Sequence, residues 1–411
     1  MNWVQSFSIF SFLDSNPAFF QNASKWCIVA AGSVEHSTTI PPFKPTIDQL
    51  YKNNADWLFG HFCYDWKEEL HHLPSKHPDY IGFTDAFLFV PELVIELTKN
   101  ELQIHHFANH NPKHIYESIM SQMVCSVNSK PSVILKPKIT KNEFIQTLQK
   151  IKAHIQRGDC YEINICQEWF AQNANIDPIQ LYAKLKKVSP APFAGLYRNN
   201  KSYAICASPE RFVQKKGGVL YSQPIKGTNK RLVNEIENKQ QQLLLQQNNK
   251  ERSENIIVVD LVRNDLSRIC EAGSVKVEEL LGIYTFPQVN HLISTIKGNI
   301  QNDISFSDIM EALFPMGSMT GAPKKKVMQL IEKHEHSRRG LYAGTIGYIT
   351  PNKNIDFNVM IRSFFYNADT KYLSYQVGSG ITQQSDPEEE YQECLLKAEG
   401  LQKTLNHLFS S

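Results

Sequence analysis

ERSENIIVVDLVRNDLSR, residues 251–268, closes a helix-like run that begins near residue 235 and continues to about 261. Within it Glu251 and Glu254 are three positions apart, a spacing that puts both carboxylates on one helix face. Outward from this helix the pattern changes to short β-branched and aromatic runs at 202–206, 218–223, 344–350, 356–365 and 372–377. Helix-like runs recur at 306–314, 324–333 and 387–405. Upstream, residues 142–157 carry Phe144, Leu148, Ile151 and Ile155 on one helical face, and Gly158 supplies a stop. The runs 26–32 and 85–97 are strand-like, and Gly60 interrupts the apolar stretch 57–70. Strands in both halves with helices between them predict an α+β protein with large antiparallel sheets. A polar, proline-bearing segment from about 109 to 141 is the candidate linker, dividing a strand-rich region 1–135, interleaved with the main fold, from a region 140–408.

A second carboxylate pair, Glu390 and Glu393, opens the last helix in PEEEYQECLLKAEGL. Two such pairs on facing helices would make a hard oxygen-donor site of the kind Mg²⁺ uses, although acidic pairs also occur on ordinary solvated faces. In QPIKGT (223–228), Pro224 stiffens the approach and Gly227 lets the backbone pass close to a ligand, so Lys226 is expected at a strand-to-loop corner. Glu210, sixteen residues earlier in SPERF, would lie near that amine if the intervening strands form a hairpin. Gly317, Ser318 and Gly321 precede a helix at Lys324, and Gly378, Ser379 and Gly380 are expected to follow a strand; both segments would turn backbone N–H groups toward an anion. Arg362, flanked by apolar residues, is either a carboxylate fork or half of a structural ion pair. His291 is either a core histidine or a catalytic donor. Residue chemistry alone leads to metal-assisted chemistry on a small carboxylate ligand.

Bulk properties exclude several classes. The 411 residues carry 43 basic and 41 acidic side chains, so nothing in the charge balance calls for nucleic acid or an anionic membrane as partner. Eight scattered cysteines include no CxxC pair, which reads as reduced thiols. No apolar run reaches the roughly 18 residues of a membrane helix, and the N-terminus lacks a basic leader, so the expected location is the cytoplasm.

The motifs VDLVRNDLSRICEAGSV, FPMGSMTGAPK, YAGTIGY and IRSFF, in that order, resemble the chorismate-utilising enzymes. The likeness runs from about 158 to 405 and, more weakly, through LFGHFCYDW at 58–66. It implies a layered α+β fold with two large sheets packed between helices. It implies that Glu254 and Glu393 bind Mg²⁺, with Glu251 and Glu390 in support, and that the metal holds the ring carboxylate of chorismate. Tyr342, Arg362 and the Gly378–Ser379–Gly380 backbone match positions for the enolpyruvyl carboxylate, with Lys397 close by. His291 and Ser318 match positions near the departing hydroxyl and the ring. Members that activate water carry a lysine where this chain has Glu162, and members that use an amine usually carry glutamine, so Glu162 departs from both. The PIKGT form of residues 224–228 is that of the branch making 4-amino-4-deoxychorismate for folate biosynthesis; the anthranilate-forming branch usually reads PIAGT. The implied catalytic group is therefore Lys226 as covalent nucleophile, Glu210 for proton transfer, and His291, Thr228 and Ser318 around the ring. No cysteine has an amidotransferase context, so ammonia is expected from a separate glutaminase subunit, and the later elimination to 4-aminobenzoate is expected from another protein.

Overall fold

The computed structural model describes residues 1–14, 27–107, 110–122, 133–286 and 289–406. Within them the chain forms an 11-stranded and a 10-stranded sheet in which every strand pair is antiparallel. The first sheet runs Gly321–Ala322, Glu162–Ala171, Tyr372–Ile381, Ser363–Asn367, Ser202–Ser208, Phe193–Asn199, Ile9–Asp14, Cys27–Ala31, Leu93–Leu97 and Leu102–His106, with Lys136–Pro137 beside the Glu162 strand. The second runs Ile225–Lys230, Val289–Asn299, Val219–Gln223, Arg211–Lys216, Ile355–Asn358, Thr345–Ile349, Leu58–Phe62, Ala86–Val90 and Glu35–His36, with Lys276–Thr285 also on the Val289 strand. N-terminal strands enter both sheets: Phe12 pairs with Leu196 in the first, and Gly60 with Gly347 in the second.

The sheets pack face to face around one large apolar core that includes Phe10, Phe59, Leu196 and Phe357. Polar contacts cross the same interface, where His61 Nδ1 lies 2.8 Å from the Tyr197 hydroxyl. Helices Pro178–Val188 and Pro387–Asn406 cover the first sheet, and helix Asn249–Ser267 covers the second at its Val289 strand. This is the expected α+β sandwich, with helices outside two large antiparallel sheets. None of the described helices is long and apolar enough to cross a membrane. All seven cysteines among the described residues are free; Cys125 lies outside them.

Local chemistry explains where the structure departs from the sequence reading. The run 235–261 is two helices, Glu235–Gln247 and Asn249–Ser267, because Asn248 adopts an extended conformation and its side chain accepts from Glu251 N at 3.1 Å. That N-cap starts a new helix immediately before the first carboxylate pair. The run 85–97 divides at Pro91 into Ala86–Val90 in the second sheet and Leu93–Leu97 in the first. The run 356–365 divides in the same way, and Arg362 sits in the crossover at φ 53°, a conformation uncommon for a non-glycine residue. The candidate linker contains a helix, Pro112–Met120, capped by Asn111, and the short strand Lys136–Pro137; its stretch 123–132 lies outside the described residues.

Candidate active site

Lys226 lies within an edge strand, not at a strand-to-loop corner. Ile225 pairs with Ile293 and Thr228 with His291, so the Ile225–Lys230 strand carries one extra residue against its partner. Such a bulge re-aims side chains, and Gly227 occupies it at φ +94°. A Cβ on Gly227 would lie 3.0 Å from both Glu251 Oε2 and Leu292 Cδ1, so a larger residue would also have to push these two side-chain ends aside. Lys226 is thereby turned into a cavity of about 780 Å³ between the sheets and the two carboxylate helices. That volume suits a small-molecule ligand.

The Lys226 ammonium is buried, and its Nζ donates to Glu162 Oε1 at 2.6 Å. Burial alone would lower its pKa, but the charges of Glu162, Glu254 and Glu210 together outweigh burial and raise it. Glu210 stands where the chain passes from Ser202–Ser208 in the first sheet to Arg211–Lys216 in the second. The Ser318 hydroxyl donates to Glu210 Oε1 at 2.7 Å. Burial pushes the Glu210 carboxyl up to about 7, even though Ser318 and the Lys226 charge pull the other way. Ser318 sits in the 3₁₀ turn Gly317–Met319, where Arg339 Nη1 donates to Met319 O at 2.7 Å. Arg339 also donates to Asn164 O at 2.9 Å and pairs with Glu335 at 2.6 Å, clamping the turn to the Glu162 strand.

On the opposite wall, Arg362 is half-buried and donates through Nη1 to Lys397 O at 2.6 Å. Among the described residues no carboxylate pairs with it, so most of its five donors remain for a ligand anion. Burial, then the Arg362 charge, lower the His291 pKa to about 3, so the imidazole is neutral at physiological pH. His291 Nδ1 lies 2.7 Å from Thr228 Oγ1. Tyr342 and Gly378 line the same wall, the Cys166 thiol donates to the Tyr342 hydroxyl at 3.4 Å, and Lys397 Nζ donates to Gly378 O at 3.0 Å.

Gly378, Ser379 and Gly380 lie inside the strand Tyr372–Ile381, paired with Cys166, Ile165 and Asn164, and do not form the loop after a strand that the sequence reading expects. The glycines make room instead. A Cβ on Gly380 would fall 2.8 Å from Lys226 Nζ, 3.1 Å from Glu162 Oε1 and 3.3 Å from Glu254 Oε2. Gly380→Ala is accordingly expected to keep the fold but lower kcat by roughly 10–10²-fold, measured by steady-state turnover alongside a thermal melt.

The carboxylate pairs project from Asn249–Ser267 and Pro387–Asn406. Glu251, Glu254 and Glu393 line the cavity; Glu390 and Ser379 do not. Glu390 instead accepts from the Ser379 hydroxyl and, at 2.6 Å, from Lys250 Nζ. Lys250 Nζ is also 3.8 Å from both Glu254 Oε1 and Glu393 Oε2, so a cation already stands among three of the four carboxylates. Burial raises the Glu254 pKa to about 8, and its Oε1 is buried without a hydrogen-bond partner. Burial would raise the Glu393 carboxyl, but Lys397, 2.7 Å from its Oε1, together with the charges of Lys250 and Lys226 outweighs burial and holds it well below the usual range. Among the described residues no three potential ligands are already gathered around one point. The hard oxygen donors, the Glu254 oxygen that accepts no hydrogen bond and the cation among the carboxylates nevertheless fit Mg²⁺.

The structure thus brings Lys226, Glu210, His291, Thr228, Ser318, Tyr342, Arg362, Gly378, Gly380, Lys397, Glu251, Glu254 and Glu393 around one cavity. Lys250 escaped sequence reasoning, although its position four residues before Glu254 was a signal. The Glu162–Lys226 contact joins residues 64 positions apart and left none.

Fold and site define an enzyme class: the chain belongs to the family of chorismate binding enzymes, whose pattern it matches over residues 21–403. It is 34% identical to the anthranilate synthase component I-like protein of Synechocystis, over 86% of this chain and 73% of that one. It is 37% identical to aminodeoxychorismate synthase component 1 of Bacillus subtilis, over 65% of this chain and 56% of the relative. With the Klebsiella aerogenes protein of the same name it shares 32% identity, over 82% and 74%. Anthranilate synthase component I from Streptococcus pneumoniae superposes with a TM-score of 0.79 at 25% identity, covering 92% of each chain. The menaquinone-specific isochorismate synthase MenF of Escherichia coli gives 0.76 at 19% identity, over 98% and 90%, a likeness of fold.

Proposed function

We propose that the protein is the chorismate-aminating component of a 4-amino-4-deoxychorismate synthase and works through a covalent bond to Lys226. What carries the reading is the placement of Lys226: a buried primary amine, aimed by a bulge into a cavity that it shares with the Glu210 carboxyl, raised to about 7, and with the carboxylate helices. Arg362 and Lys397 bind the enolpyruvyl carboxylate of chorismate. Neutral His291 and the hydroxyls of Thr228 and Ser318 orient the ring hydroxyl. Glu254 and Glu393, with Glu251 in support, would hold Mg²⁺, which when bound supplies positive charge for the ring carboxylate. The neutral Lys226 amine attacks the ring with allylic shift, and Glu210 gives its proton to the departing hydroxyl, which leaves as water. Ammonia then adds where the hydroxyl was, the double bond shifts back, and the C–N bond to Lys226 breaks. The proton shed by the new amine restores Glu210. Ammonia comes from a separate glutaminase, a reading supported by the "component 1" names of the relatives.

Glu210 serves only while protonated. Its carboxyl, raised by burial to about 7, is mostly protonated below that pH and ionised above it. At constant free ammonia, kcat is expected to fall above about pH 7 by up to tenfold per unit, and Glu210→Gln should abolish this limb. Incubation with chorismate, Mg²⁺ and ¹⁵N-ammonium in ¹⁸O-water tests the class of reaction. The reading requires ¹⁵N in a product that keeps its enolpyruvyl group; ¹⁸O incorporation in its place would refute it.

An anthranilate-forming enzyme is the second reading, favoured by the names of the Synechocystis relative and the Streptococcus pneumoniae structure. Lys226 argues against it, since anthranilate formation has no need of a buried amine beside the ring.

A further inference from the structure

The Lys226 mechanism needs an uncharged amine, yet this lysine is embedded among anions. Glu162, Glu210 and Glu254 act on it directly; Glu251 and Glu393 add negative charge from the two carboxylate helices, and Lys397 opposes them. Among the described residues, Glu162 is the carboxylate in hydrogen-bond contact with Nζ, at 2.6 Å. It is 1% exposed, and its strand holds it from both sides: Glu162 pairs with Ala322, and the neighbouring Ile163 with Ile381. Its Oε2 is buried with no hydrogen-bond partner, so half the carboxylate is free of competing donors. Glu210 instead accepts from Ser318, and in the covalent reading its proton goes to the leaving hydroxyl.

We propose that Glu162 is the catalytic base that takes the proton of Lys226 before attack and returns it when the lysine is released. This rests on the covalent reading above and assigns its missing proton acceptor. In the resting pair Lys226 is ammonium and Glu162 carboxylate. Transfer along the 2.6 Å hydrogen bond leaves an amine with its lone pair and a carboxylic acid. The lone pair forms the C–N bond to the ring while the C–O bond breaks, with the proton for water drawn from Glu210. After ammonia has displaced the lysine, the freed amine recovers its proton from Glu162 and the pair is reset. Two carboxylates whose charges act on one amine thus divide the work, one as base and one as acid.

Glu162→Gln keeps size and a hydrogen-bond acceptor but cannot take a proton. Expected at pH 7 is a fall in kcat of about 10²-fold, with KM for chorismate nearly unchanged. Because the variant must draw on spontaneously deprotonated lysine, the ratio of wild-type to variant kcat should shrink roughly tenfold per pH unit between 7 and 9. Glu162→Asp, which retains a base, should follow the wild-type pH profile at reduced kcat, and it serves as the test if the glutamine variant does not fold. A Glu162→Gln kcat within threefold of wild type, a pH-independent ratio, or an aspartate variant with the glutamine slope would overturn the proposal. Wild type and Lys226→Ala are run in parallel. An unaminated wild-type product, or an active Lys226→Ala, would instead defeat the covalent reading itself.

Discussion

Lys226→Ala is expected to lower chorismate amination by roughly 10³–10⁵-fold, the scale on which loss of a covalent nucleophile acts. The side chain is buried and, among the described residues, makes one hydrogen bond, to Glu162, so its removal opens space and leaves the direct contacts of Arg362 and Lys397 across the cavity in place. Mg²⁺-dependent chorismate binding should therefore survive, measured by calorimetry. Intact-mass spectrometry of quenched wild-type enzyme, supplied with chorismate and Mg²⁺ but no ammonia, should show a protein adduct that the alanine variant lacks. Undiminished turnover in the variant would remove the covalent route.

The second large effect concerns the helix carboxylates. Glu254→Gln or Glu393→Gln should weaken Mg²⁺ binding by at least about 10²-fold and abolish metal-dependent turnover. The two should differ in stability. Glu254 is buried with an oxygen that accepts no hydrogen bond and a pKa raised to about 8, so its charge costs the fold and the glutamine variant should melt no lower than wild type. Glu393 is paired with Lys397 at 2.7 Å, and its loss leaves that half-buried cation without its carboxylate partner, so Glu393→Gln should melt slightly lower. Calorimetric titration with Mg²⁺ alongside thermal melts separates the two roles; unchanged Mg²⁺ affinity in both variants would mean the metal binds elsewhere.

The α+β class and most of the site were legible because they depend on local signals. Helical spacing put Glu251 beside Glu254, and the motif around Lys226 placed a lysine between a stiff proline and a permissive glycine. What stayed hidden depends on chain reversals and long-range partners. A single asparagine, Asn248, splits a helix that periodicity alone continues, because its side chain competes for the backbone N–H of Glu251. The run 356–365 has unbroken strand character, yet its halves serve different sheets, and the crossover turns Arg362 into the cavity. Glu390 and Ser379 carry the right chemistry for the site, but each satisfies the other behind the wall, and no spacing rule reports that. Glu162 stood out by residue type alone; its meaning came from the amine across the sheet interface.

Whether this cavity makes 4-amino-4-deoxychorismate is tested most directly by product identity. Purified protein is incubated with chorismate, Mg²⁺ and ammonium, and the products are resolved by mass spectrometry before and after addition of a lyase that removes pyruvate from aminodeoxychorismate. A product that retains the enolpyruvyl group and becomes 4-aminobenzoate only after the lyase is predicted; anthranilate formed without it would contradict the account.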